Sequence, residues 1–175
     1  MIKLGFIGCG GIATHHATTI KAEVRGIKIA AGADNHGPTL ERFGEAFGGV
    51  ALFNDYRQMI HSGELDAVCV ALPTYLHSKA VVEAAKAGLH VFCEKPMART
   101  LRDCDTMIDA CAKAGVALIV GQVRRYDSDW GTWKKIVEGG TLGRPVIWRQ
   151  TQAGSAPGAW YMDEKMGGGP FIDGC

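Results

Sequence analysis

Six short runs in this sequence are apolar at almost every position, and segments with helical spacing separate most of them. The runs are 2–8 (IKLGFIG), 27–34 (IKIAAGAD), 50–53 (VALF), 66–73 (DAVCVALP), 89–94 (LHVFCE) and 116–122 (VALIVGQ). A strand with one wet face alternates apolar and polar residues. A strand that is apolar throughout is covered on both faces. Between Asp66 and Pro73 every residue is apolar. Segments 12–23, 37–47, 75–88 and 101–115 read as helices, with Pro38 in a first turn and Gly88 and Gly115 at C-terminal stops. Strands alternating with helices imply a parallel sheet with right-handed crossovers. The expected fold is therefore an α/β, doubly wound parallel sheet over residues 1–124. A helix-like segment (127–140), a strand (144–153) and an irregular stretch to Cys175 follow it.

Composition narrows the function. The 175 residues are 47% hydrophobic and carry a net charge of +1, which gives no footprint for nucleic acid and no acidic tail. No apolar run approaches the ~20 residues of a membrane span, and the apolar N-terminal stretch is too short for a signal peptide. Cysteines stand at 9, 69, 93, 104, 111 and 175 with no Cys-x-x-Cys pair, so no metal site is expected and the reading is a reducing, cytoplasmic compartment.

The segment GCGGIA, Gly8 to Ala13, is a G-x-G-x-x-A motif at the end of the first strand and the start of the first helix. That context makes the sheet Rossmann-type. Gly8 permits a tight turn, Gly10 admits a pyrophosphate, and Ala13 allows close helix–strand packing. The helix N-terminus, with Gly11 and Ile12, offers N–H groups to the phosphates. A plain strand–helix turn is the alternative. Asp34 ends the second strand and suits the ribose hydroxyls, or else caps the next helix. A carboxylate repels a 2′-phosphate. NAD is favoured over NADP, with His36 and Arg42 as the phosphate contacts if NADP binds.

Ligands of such sheets lie beyond the carboxyl ends of the strands. Those ends carry Asp34, then PTYLH (Pro73, Thr74, His77), then Glu94-Lys95-Pro96, then GQVRRY with Arg124 and Arg125. His77 is read as a cofactor contact or a surface histidine, and the two arginines as solvated charges at a domain edge or, for Arg125, as a substrate contact. A lysine at a partly desolvated strand end has its neutral form favoured. Lys95 could trade a proton with a substrate hydroxyl or stabilise an alkoxide, with Glu94 holding it. A structural Glu–Lys pair is the alternative.

The order GFIGCGGIA, AGAD, DAVCVALPTYLH, HVFCEKPMA and GGGPFIDGC resembles the glucose–fructose oxidoreductase / inositol dehydrogenase family (Gfo/Idh/MocA) across nearly the whole chain. The resemblance implies hydride transfer between a nicotinamide and a sugar, cyclitol or related alcohol. It implies a catalytic Lys95, a Lys95–Pro96 bond that is often cis, and a homo-oligomer. Thr74 stands where the family often has Asn. The family pairs an Asp with a His four residues on. Asp173 supplies the first, and position 177 would fall past Cys175. Residues 125–175 are then the incomplete start of an α+β substrate and oligomerisation domain. Trp148, Trp160 and Tyr161 would lose their cover there, and self-association or disorder beyond about residue 150 is expected. A cofactor-sensing binding protein without catalysis is the second reading, against which Lys95 and Asp173 both argue.

Overall fold

The computed structural model describes residues 1–147, 149, 151, 158–169 and 172. Its core is one parallel sheet of β1 (Ile2–Ile7), β2 (Ile27–Ala33), β3 (Ala51–Phe53), β4 (Ala67–Val70), β5 (His90–Cys93) and β6 (Leu118–Val120), in the order β3-β2-β1-β4-β5-β6. The order reverses between β1 and β4, the switch point at which such sheets open a crevice. Helices α1 (Gly11–Glu23), α2 (Gly37–Phe47), α3 (Tyr56–Ile60), α4 (His77–Lys86) and α5 (Leu101–Ala114) connect the strands, and α6 (Ser128–Glu138) and α7 (Ala159–Met162) follow.

The inner strands β1, β2, β4 and β5 are covered on both faces over most of their length, as expected, while the outer strands β3 and β6 stay partly exposed. Side chains alternate along each strand, so neighbours belong to different layers. Leu4, Phe6 and Cys69 pack with Ala13 and Ala17 of α1 and with Leu40 and Phe43 of α2. Ile7, Val68, Val70, Val91 and Cys93 pack on the other side with Met59 of α3, Ala80, Val81 and Ala84 of α4, and Met107 and Cys111 of α5. The alanines of α1 and α4 let these helices approach the sheet closely, so few large side chains are needed to fill the layers.

Three differences from the sequence reading have physical causes. Helix α3 was not expected. Its five residues are too few to show a period, and its signal is the N-cap Asp55, whose side chain accepts from Arg57 N–H. The segment before α4 begins as a 3₁₀ turn (Thr74–Leu76), so the helix starts at His77 and not at Tyr75. The strand expected over 144–153 is not formed by its described members: 144–147, 149 and 151 have no ladder partner. A strand exists through its neighbours, and β6 already ends the sheet. Trp148 and Asp173 lie outside the described residues.

Candidate active site

Main-chain bonds carry the ladder one step past the strands and align their ends. Gly8 N–H donates to Ala33 O, Ala71 N–H to Ile7 O, Glu94 N–H to Val70 O, and Gly121 N–H to Cys93 O, all at 2.8–2.9 Å. Asp34, Gly8, Ala71, Glu94 and Gly121 therefore follow one another along one edge of the sheet. The polar clusters that the sequence places at separate strand ends share this edge.

At its centre is the glycine turn. Gly8 has φ +88°, and a Cβ there would sit 2.5 Å from Ala71 O. Only glycine meets both conditions. Gly10 and Gly11 have nothing within 4 Å of where a Cβ would be, so the space above them is open. Gly10 is the N-cap of α1 without a side-chain cap, and the first turn holds no acidic residue. The first N–H groups of a helix lack intrahelical partners. This end of α1 is an open, electropositive cradle that fits a pyrophosphate. Ile12 is exposed beside it, and Ala13 is fully buried against the sheet.

Asp34 closes one side of the cradle. Its Oδ2 accepts Cys9 N–H (2.9 Å) and its Oδ1 accepts His36 N–H (2.8 Å). A carboxylate has about four acceptor positions, so two remain for ribose hydroxyls. It is not the cap of α2; His36 is, with no side-chain cap bond. His36 Nδ1 and Arg42 Nη2 both meet the Thr39 hydroxyl, at 2.8 and 3.2 Å. Burial, and then the Asp34 charge, push the Cys9 thiol up to about 12, so it is inert packing.

On the other side, β5 runs out into Glu94, Lys95 and Pro96, and the Lys95–Pro96 bond is cis. Period-two alternation sends Glu94 to the same face as Phe92, the face of α1. There His16 Nε2 meets Glu94 Oε1 at 2.6 Å, and Glu94 Oε2 accepts the Lys95 main-chain N–H at 2.9 Å. Burial alone would raise the Glu94 carboxyl. The bonds from His16 and from Lys95 N–H outweigh it and hold the group below the usual carboxylate range. Glu94 thus grips the main chain at Lys95, which is itself half-buried. From the opposite face, His77 is 1% exposed, with Nδ1 3.0 Å from Pro96 O and Nε2 2.7 Å from Leu72 O. It joins the loop after β4 to the loop after β5, and burial lowers its pKa below the ordinary histidine value. Thr74 is buried in the adjoining turn. Arg125 is exposed in a 3₁₀ turn after β6, and Arg124 stacks over Trp130 at 5.1 Å. Sequence reasoning missed His16, whose partner is 78 residues away. Among the described residues no group of His, Cys, Asp and Glu could hold a metal, and no helix is long and apolar enough to cross a membrane.

A doubly wound sheet with an uncapped glycine turn at its switch point and a carboxylate at the next strand end defines a dinucleotide-binding domain. Residues 2–122 match the family GFO_IDH_MocA, described as an oxidoreductase family with an NAD-binding Rossmann fold, and the chain belongs to that family. It is 37% identical over 173 residues to the myo-inositol 2-dehydrogenase of Thermotoga maritima, covering 98% of this chain and 51% of the relative. It superposes on the WlbA dehydrogenase of Bordetella pertussis in complex with NADH and UDP-GlcNAcA with a TM-score of 0.76 at 34% identity, over 82% of this chain and 43% of the other. The scyllo-inositol dehydrogenase of Lactobacillus casei, with bound NAD(H) and scyllo-inositol, gives 0.75 at 27% identity, over 82% and 42%. The chain spans about half the length of the curated relative, 51%.

Proposed function

We propose that this chain is the cofactor-binding part of an NAD-dependent dehydrogenase that moves a hydride between the nicotinamide and a sugar, cyclitol or related alcohol. One observation carries the reading: the glycine cradle, Asp34 and the Glu94-Lys95-Pro96 loop share one edge of one sheet. The inositol and UDP-sugar ligands of the relatives support the substrate class.

NAD, when bound, supplies the carbon that exchanges the hydride. The N–H groups at Gly10, Gly11 and Ile12 receive the phosphates, and Gly8 lets that turn form. Asp34 accepts from the adenosine ribose. Pro73, Thr74, His77 and Glu94 form or brace the nicotinamide wall. Lys95 exchanges a proton with the substrate hydroxyl or, as an ammonium, stabilises the alkoxide. Arg125 contacts the substrate. Asp173 belongs to the second acid–base pair. Residues 125–175 open the substrate and oligomerisation domain, and the protein works as a cytoplasmic homo-oligomer. NADP is the lesser cofactor.

Fluorescence titration with NADH and NADPH tests the cradle. Saturable binding that prefers NADH is expected, and no binding of either removes the reading. In the full-length protein, Lys95→Ala should cut polyol oxidation at least ~100-fold, the scale of a general acid–base group, with NADH affinity kept. Unchanged turnover would remove Lys95 from catalysis. A cofactor sensor would bind NADH and oxidise no polyol.

A further inference from the structure

His16 belongs to the second turn of α1, the helix whose first turn is the cradle. Ala13 and Ala17 of that helix are fully buried against the sheet, and His16 flanks their stripe. Its ring meets Phe92 edge-on, with centroids 5.4 Å apart at 77°. Its Nε2 reaches Glu94 Oε1 at 2.6 Å, with side-chain exposures of 28% for His16 and 13% for Glu94. An ionised carboxylate only accepts, so Nε2 carries the proton. Glu94 directly follows β5, two residues past Phe92, so one face offers both a ring to orient the imidazole and an oxygen to receive its proton. The second oxygen, Oε2, takes the Lys95 N–H at 2.9 Å. A chain of two hydrogen bonds thus runs from α1 to the backbone of Lys95.

We propose that His16 is a positioning residue: by donating to Glu94 it fixes the carboxylate that holds the main chain at Lys95, so that one rigid helix sets both the cofactor phosphates and the lysine. The proposal rests on the dehydrogenase reading for its purpose, but its geometry can be tested apart from it. The other titratable groups around Glu94 are Lys95 on the loop, the Cys69 and Cys93 thiols of β4 and β5, and His77 of α4. His15 lies 6.0 Å from His16 on α1. Burial raises both thiols far above neutrality, the Cys93 thiol to about 12, so neither titrates with the carboxylate.

The test is NMR on labelled protein, following Lys95 amide exchange and the Glu94 side-chain carboxyl against pH, with an NADH titration in parallel. His16→Phe keeps a ring against Phe92 and removes the donor. His16→Gln keeps a donor. In His16→Phe the Lys95 amide should exchange about tenfold faster, the scale of one charge-assisted bond, and the Glu94 titration should move upward. In His16→Gln both should return most of the way. Unchanged Lys95 exchange and an unmoved Glu94 titration in His16→Phe overturn the proposal. Should His16→Phe not fold, wild-type protein still decides. Release of the Lys95 amide on acidification must share its midpoint with Glu94, and separate midpoints overturn the link. Failure of the wild type to bind NADH strikes the dehydrogenase reading alone, because the amide and carboxyl signals do not depend on cofactor.

Discussion

Asp34 accepts N–H groups from Cys9 and His36, so its carboxylate is oriented before any ribose arrives. Asp34→Asn keeps one acceptor and removes the charge. A hydrogen bond to a charged group contributes about 1.5–3 kcal/mol. NADH affinity should therefore fall roughly tenfold, at 1.4 kcal/mol per factor of ten, and the preference over NADPH should narrow as repulsion of a 2′-phosphate disappears. A fluorescence titration reads both. His77 makes a prediction about acid. A neutral ring has one N–H, so it donates to only one of its two carbonyl partners at a time. Burial lowers its pKa from 6.5. Above 6.5 folded and unfolded chains both hold it neutral. Below 6.5 the unfolded chain takes up a proton that the folded chain refuses, so stability falls with falling pH, by up to about 1.4 kcal/mol per unit. Urea melts across pH 7.5 to 5.5 should show the decline, and His77→Gln should flatten it. The cradle was legible in the sequence because G-x-G-x-x-A is local. His16 was not, because nothing near residue 16 announces a partner on β5.

Among the elements, the strands were the most legible, since burial on both faces writes itself as unbroken apolar runs. Helices were legible where they are long. In α5 the apolar spacing and the Gly115 stop agree, and Gly115 adopts the left-handed C-cap at φ +67°. Thr100 is a full N-cap: its Oγ1 accepts Asp103 N–H at 3.1 Å and donates to Asp103 Oδ2 at 2.7 Å. Helix α5 covers Cys93 and Val91 with Met107 and Cys111, so fraying at Thr100 reaches the strand that carries Lys95. Thr100→Ala should cost about 1 kcal/mol, read as a lower urea midpoint with an unchanged slope. A lower slope would mean that the denatured or native ensemble has changed instead. Helix α3 escaped the sequence because one turn held by a single Asp55 cap has no period to detect.

Across the whole molecule the buried apolar core ends well before the last described residues, and the stretch beyond it exposes many of its large apolar side chains. Among the described residues the last buried core side chain is Cys111. Beyond it Ile119 (56% exposed), Tyr126 (84%), Val146 (88%) and Ile147 (80%) face solvent, with Val123, Trp133 and Leu142 also exposed. Helix α6 buries none of its residues. β6 is an outer strand of the sheet, with Ile119 on it, and its free edge can pair with another chain. Apolar surface of this extent is covered by something in most proteins. We propose that another copy of this chain covers that surface in solution, the first of the two outcomes, self-association or disorder beyond about residue 150, expected from the sequence. Sedimentation velocity should therefore give a coefficient that rises with protein concentration. Ile119→Lys places a charge on the outer strand and should lower that rise while leaving the melting midpoint within about 0.5 kcal/mol, as for an ordinary surface change. A single monomer boundary at every concentration would show that the edge and the exposed side chains beyond it do not attract a partner copy.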